Sequence, residues 1–396
     1  MNAPNPGIWA KKFPELGTDP VPVAPYLSSE YFELERDKVF KKCWLKVARV
    51  EEIANSRDYK VVPFEFAEAE VIVIRGEDDQ IRGFYNTCSH RGNKVVWQTG
   101  TGHAKGGGLQ CRFHGWVYGT KGEVRSVPEE GAFFNLDKAN CGLTPVATDV
   151  WEGFVFINFD PEPAQSLTEF LGAMGERLAG FPYGTFSEAH TYRTVLNCNW
   201  KIAQDAFSEA YHVNTIHAGT FPDGFSTELL DVQLLGPHHS CGVCKLEGGN
   251  PPPVASLSHR FSTASIAKKD LDNESMLPPD VGNDPRHAFE LAVLFPNYLV
   301  HILDGMYFTH QFTPIDVNHT LWEGVQYFAP PKNAGERFSH EYGQVLQRNA
   351  WLEDTATMED THQALKSGAK SQMHLQDGEI LIRHLLHAVD QLVNAE

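Results

Sequence analysis

Four residues in two short loops have the types and spacing of a metal site. Cys88 and His90 flank one residue, Cys111 and His114 flank two, and a glycine follows each pair at Gly92 and Gly115. Two sulfide-bridged irons take this donor set when two His replace two Cys on one iron, which raises the reduction potential relative to a four-Cys cluster. Each loop then gives one Cys to one iron and one His to the other. Tetrahedral zinc also accepts two Cys and two His. Zinc fingers, however, pair Cys with Cys and His with His along the chain, whereas both pairs here are mixed, with Arg91, Gly92, Gly115 and Trp116 in the flanks of a strand-rich region. The glycines let backbone amides approach the sulfides, and Trp116 is placed either to shield the cluster or to fill core.

A second set lies farther along. Asp205, Glu209 and His212 are spaced i, i+4, i+7 and would share one face of a helix running from Trp200 to His212. His217 does not join that face, because a continuous helix would aim it about 140° away. Val213, Thr215, Ile216 and Gly219 continue a helix poorly, so the helix is expected to end or loosen there and turn His217 back. Two neutral imidazoles and one carboxylate form the facial triad that holds Fe(II) with open positions for dioxygen. For the carboxylate the C-terminal helical stretch offers Glu353, Asp354, Glu359 and Asp360, with Asp354 favoured.

These residues need elements to hold them. A Pro/Gly-rich arm leads into a helical pattern over Ser28–Lys42. Short alternating runs then read as strands at Tyr59–Phe64, Val71–Arg75, Gly83–Asn86, Gly115–Tyr118 and Gly153–Asn158, the mark of a small antiparallel β domain. Asp160-Pro161-Glu162-Pro163 is a natural boundary. After it come a helix at Leu167–Leu178, strands at Thr191–Leu196, Ala292–Leu303, Tyr307–Thr313 and Leu321–Phe328, and closing helices at Glu336–Leu365 and Met373–Val393. Gly236–Asp284, with its Gly-Gly-Asn-Pro-Pro-Pro run and Pro278-Pro279, reads largely as an excursion or lid. The expected division is an N-terminal arm and helix at 1–43, a cluster domain at 44–160 and an iron domain at 161–396, an α+β chain overall.

With both donor sets placed, the chain resembles α subunits of the Rieske ring-hydroxylating oxygenase family over essentially its full length. The matching pieces are Cys88-Ser89-His90-Arg91-Gly92, Cys111-Arg112-Phe113-His114-Gly115-Trp116, and Asn199-Trp200-Lys201 followed by Asp205, Glu209, Tyr211, His212 and His217. The resemblance implies an antiparallel β Rieske domain and a helix-grip catalytic domain of the Bet v 1/START type, with an antiparallel sheet and helices. It implies a Rieske 2Fe-2S cluster and a mononuclear Fe(II) held by His212, His217 and Asp354. It also implies a homotrimer, with or without a small β subunit, in which Glu209 bridges a Rieske His of the adjacent subunit to an iron-ligand His. Electrons would come from a ferredoxin or a flavin reductase, and the substrate would be an aromatic small molecule taken with O2 to mono- or dihydroxylation or oxidative dealkylation. Two departures stand out. Thr99–Gly108 lengthens the segment between His90 and Cys111 and reads as a longer Gly-rich loop, and Ala206 stands where many members have Asn, which weakens any catalytic role for Asp205.

Composition narrows the partners. Thirty-three basic against 51 acidic residues give a formal charge of −18, which repels nucleic acid and anionic membranes. No apolar run is long enough for a transmembrane helix and Met1–Pro6 lacks signal-peptide features, so the reading is cytoplasmic. Seven scattered cysteines suit reduced thiols or metal ligands rather than a disulfide framework, and Cys241 and Cys244, with no second Cys pair, suit thiols in or near a strand. Phe207, Phe295, His301, Leu303 and Phe312 are nominated to line a substrate pocket, against plain core packing. The competing functional classes are a non-catalytic ligand-binding protein, a pure electron carrier and a zinc hydrolase. A carrier needs neither the second His pair nor the long C-terminal region.

Overall fold

A computed structural model describes residues 7–222, 225–245, 251–265, 286–303 and 305–395. Residue contacts divide the chain into two compact units, Arg36–Phe170 on the one hand and Met1–Glu35 with Leu171–Glu396 on the other.

The first unit is built on strands. Leu45–Arg49 (β1), Asp58–Phe64 (β2), Ala69–Arg75 (β3), Ile81–Tyr85 (β4), Gly100–His103 (β5), Pro145–Trp151 (β9) and Phe154–Asn158 (β10) form a seven-stranded antiparallel sheet in the order β1-β10-β9-β4-β3-β2-β5. Leu109–Gln110 (β6), Val117–Tyr118 (β7) and Val124–Ser126 (β8) form a small second sheet. Val71 to Ile74 are all fully buried, so β3 is covered on both faces and loses the alternation of a half-exposed strand. The stretch expected as a Gly-rich loop is partly ordered: Gly100–His103 pairs with Val61–Asp58 at the sheet edge. Its turn closes at Gly108, where a Cβ would lie 2.0 Å from the carbonyl oxygen of Tyr118.

The second unit carries a seven-stranded antiparallel sheet. Glu188–Leu196 (β11), Phe225–Leu235 (β12), His238–Lys245 (β13), His287–Leu294 (β14), Tyr298–Leu303 (β15), Met306–Asp316 (β16) and His319–Phe328 (β17) lie in the order β11-β17-β16-β15-β14-β13-β12. Besides the short helical turns at Ile8–Lys12 and Ala24–Leu27, the helices are Ser29–Glu35 (α1), Leu167–Leu178 (α2, kinked at Gly172 and with its first turn in the first unit), Trp200–Asp205 (α3), Val213–Ile216 (α4), Pro253–Ser265 (α5), Ala334–Lys366 (α6) and Ile380–Val393 (α7). On the 33-residue α6, Trp351, Asp354, Met358 and His362 are buried at spacings of three and four, one stripe laid against the core that the sheet supplies.

Cross-strand partners point the same way, so the pairing orders this face into rungs. Cys241, Leu291, His301 and Phe308 form one rung, and His239, Val293, Leu299 and His310 the next. Phe312 pairs with Trp322 a rung farther on.

Three expectations need correction. The helix over Trp200–His212 stops at Asp205: Phe207 and Ser208 make tight turns back to Gln204 and Asp205, and the Glu209 carboxylate accepts the Tyr211 and His212 amides that a continuing helix would use. Asp205, Glu209 and His212 therefore do not share a helix face. The excursion read over 236–284 contains β13, an interior strand, and α5; Pro278-Pro279 and the start of the Gly-Gly-Asn-Pro-Pro-Pro run lie outside the described residues. The last helix begins at Ile380, because Gln372–Met373 pairs with Val21–Pro22 instead.

Candidate functional site

The two Cys/His loops have the same backbone wiring. Cys88 N–H donates to Asn93 O and Gly92 N–H returns to Cys88 O; Cys111 N–H donates to Trp116 O and Gly115 N–H returns to Cys111 O. Each turn needs a positive φ at its fifth residue, +72° at Gly92 and +78° at Gly115, which only glycine adopts without strain. The result sorts the donors. Both cysteines are buried with their thiols in mutual contact, while the rings of His90 and His114 meet 4.6 Å apart, half-buried and exposed respectively. Among the described residues no three of these four ligand atoms close to single-ion distance. Sulfurs paired on one side and imidazoles on the other fit a binuclear cluster better than one zinc. Trp116 is buried and lies parallel to His90, 5.4 Å away. Tyr118 Oη accepts the Ser89 amide at 2.9 Å and lies 3.1 Å from Cys88 Sγ.

His212, His217 and Asp354 come together in the second unit, with their ligand atoms all within 4.8 Å of one another, and form the one such cluster among the described residues. His212 sits at the start of α4 and His217 at its end, so one short turn of helix sets the separation. Each ring is held from behind. His212 Nδ1 bonds to Glu209 Oε1, and His217 Nδ1 to Glu353 Oε2 at 2.7 Å, while Thr220 fixes the other Glu353 oxygen at 2.7 Å. With the Nδ1 protons given to carboxylates, both Nε2 lone pairs face Asp354 Oδ1, at 3.5 and 3.0 Å. That oxygen is buried and has no hydrogen-bond partner. Three converging acceptors without a donor between them suit a cation. The electrostatics agree: burial disfavours charge on His217, yet Asp354 and Glu353 outweigh it and raise its pKa. Glu353, weighed as a ligand from sequence, is instead the carboxylate behind His217.

A cavity of about 940 Å³ opens on this triad. Three of the five nominated pocket residues, Phe207, His301 and Leu303, line it. Phe295 and Phe312 do not. Phe295 follows β14 and is fixed by its amide on His238 Nδ1 at 2.9 Å, and Phe312 lies two rungs past His301, stacked under Phe207 and His310. Phe221, Phe225, Phe289, Leu291, Met306 and Phe308 complete the apolar wall, and α5 and α6 close the other side. Phe225 was missed because β12 was not recognised, and Phe289 and Leu291 because β14 begins at His287 rather than at Ala292.

Asp205 faces another network. Its Oδ2 accepts from Tyr26 Oη at 2.7 Å, and burial pushes the carboxyl up to about 7, with Tyr26 and Lys201 opposing. Lys201 itself donates to Glu35 at 2.6 Å with both side chains fully buried, and Trp200 Nε1 donates to the other Glu35 oxygen at 3.0 Å. Asp205 is neither in the metal cluster nor among the residues lining the cavity. Cys241 and Cys244 are both buried on β13. No described helix is long and apolar enough to cross a membrane.

Residues 43–144 match the family model of the Rieske [2Fe-2S] domain, and residues 184–395 that of the ring hydroxylating alpha subunit (catalytic domain). The chain is 37% identical to the 2-aminobenzenesulfonate 2,3-dioxygenase subunit alpha of Alcaligenes sp over 314 residues, covering 76% of this chain and 72% of that one. It is 35% identical to the carnitine monooxygenase oxygenase subunit of Escherichia coli (strain K12) over 369 residues, covering 91% and 87%. Its fold matches a quaternary ammonium Rieske monooxygenase (TM-score 0.75, 22% identity, 94% and 95% covered) and naphthalene 1,2-dioxygenase with indole bound (0.71, 24%, 94% and 92%). The chain therefore belongs to the catalytic α subunits of the Rieske ring-hydroxylating oxygenases, enzymes that carry a Rieske 2Fe-2S cluster and a mononuclear iron.

Proposed function

We propose that the chain is the terminal oxygenase of a multicomponent system that hydroxylates an aromatic or related apolar small molecule with O2, using electrons from an NAD(P)H-dependent reductase or ferredoxin. Cys88, His90, Cys111 and His114 hold the cluster in a domain at 44–160. His212, His217 and Asp354 hold the iron in a domain at 161–396, with which the arm at 1–43 packs. When bound, the cluster supplies single electrons and the iron activates dioxygen.

The residues around that chemistry orient and insulate. Glu209 holds the Nδ1 proton of His212, and Glu353 that of His217, so both Nε2 atoms stay aimed at one point. The phenylalanines of the cavity exclude water and present flat apolar surface to a ring. Relatives named for 2-aminobenzenesulfonate and naphthalene point to aromatic substrates and the one named for carnitine to a quaternary ammonium compound; the five phenylalanines on the wall can stack on a ring and can also face a quaternary ammonium group through cation–π contact. Glu209 also has lone pairs to accept a His90 or His114 ring from a neighbouring chain in a homotrimer, with or without a β subunit.

The convergence of two carboxylate-backed imidazoles and one partnerless carboxylate oxygen on a large apolar cavity carries this reading. Glu209→Gln tests it in a single turnover of chemically reduced protein. The variant should retain both metals yet form product at least about 100-fold more slowly; a wild-type rate would overturn the bridging role.

A further inference from the structure

From the placement of His301 we infer that the substrate is an aromatic or heteroaromatic ring bearing one neutral hydrogen-bonding group, a ring nitrogen, N–H or hydroxyl, which His301 recognises. The inference rests on the proposed reading of the cavity as the substrate pocket. His301 stands on β15 in the rung that faces the cavity, and it is 3% exposed. Among the described residues that β14, β15 and β16 contribute to the wall, it is the one polar side chain between Phe289, Leu291, Leu303, Met306 and Phe308. Its ring is clamped flat against Phe308, with centroids 4.5 Å apart and planes at 14°. Both ring nitrogens are nonetheless without a hydrogen-bond partner. Buried polar atoms are nearly always satisfied in native proteins, so two orphaned nitrogens on one cavity-lining ring mark where a ligand's polar group belongs.

The neighbourhood specifies the kind of group. Burial pushes the His301 imidazole down to about 3, so at neutral pH it offers one N–H and one lone pair and carries no charge to balance a carboxylate or sulfonate. The adjacent His310 does not compete. Its Nδ1 accepts from Trp322 Nε1–H at 3.0 Å, which fixes its own proton on Nε2. Nothing fixes the His301 tautomer in the same way, so it meets either a donor or an acceptor. The apolar wall around it takes the rest of the ring.

Isosteric pairs test this on the cluster- and iron-loaded full chain: quinoline against naphthalene for an acceptor, indole against indene for a donor, with calorimetric titration. Wild type should bind each polar twin about three- to tenfold more tightly than its hydrocarbon, the scale of one neutral hydrogen bond. His301→Phe, which keeps the stacking on Phe308, should abolish that preference, and His301→Gln should restore part of it. The preference should also survive removal of the mononuclear iron by chelation, which separates His301 from direct nitrogen ligation of the metal. Equal binding of the twins, an unchanged ratio in His301→Phe, or a preference that vanishes with the iron overturns the inference and leaves the substrate pocket standing. Failure of wild type to bind any of the four overturns both.

Discussion

Replacing Glu353 with Ala should loosen the mononuclear iron without touching the cluster. The carboxylate accepts from His217 Nδ1 at 2.7 Å and is pinned by Thr220 at the same distance, so it sets both the tautomer and the tilt of the ring. Loss of such a backing partner costs metal sites about 10- to 100-fold in affinity. The Glu353 side chain is 34% exposed, so water can enter and accept the orphaned proton, which places the expected loss near the lower end, about tenfold or 1.4 kcal/mol. Glu353→Gln keeps an acceptor oxygen and should lose only about threefold; Thr220→Val, which frees one Glu353 oxygen, should fall in the same range. The assay is competitive titration of Fe(II) or Co(II) against a chelator, with the visible cluster spectrum as the internal control. An Ala variant that holds metal within twofold of wild type would refute the reasoning, as would a parallel change in the cluster spectrum.

Other outcomes are expected from the buried network. Glu35→Met leaves the fully buried Lys201 uncompensated and should cost about 3–5 kcal/mol in urea unfolding, much of it recovered in the Glu35→Met/Lys201→Met double variant; additive losses would contradict a buried pair. Asp205 has a folded pKa raised to about 7 by burial, so the folded chain keeps a proton that the unfolded chain releases above about pH 4. The stability this contributes is fully present below that pH and lost as pH rises to 7, up to about 4 kcal/mol. Asp205→Asn should remove that slope; an unchanged pH profile would show Asp205 ionised throughout.

The donor sets were legible because metal coordination dictates residue type and short spacing, which tertiary context cannot alter. Leu167–Leu178 was legible as helical for a similar reason, a strong local period, but the break at Gly172, where φ is +45°, was not. What failed was local reasoning where side chains intervene in the backbone. Nothing in the spacing of Asp205, Glu209 and His212 reveals that the Glu209 carboxylate takes the Tyr211 and His212 amides and ends the helix. Strand β13 was legible only as thiols in or near a strand, its extent hidden by small residues, Ser240, Cys241, Gly242 and Cys244, all buried on an interior strand where no polar alternation marks the pleat. Phe312 was misjudged because its face was right and its rung was not, and rungs depend on register across four strands. Glu353 and Asp354 are adjacent acids, and only the direction of α6 shows which one faces the two Nε2 atoms.

The account stands most directly on metal analysis of the purified chain and its Asp354→Ala variant. Wild type should hold about three irons and two acid-labile sulfides per chain, and the variant about two irons with an unchanged Rieske spectrum. Zinc in place of iron, or a variant that retains the third iron, would contradict two separate centres with Asp354 as the carboxylate of the second.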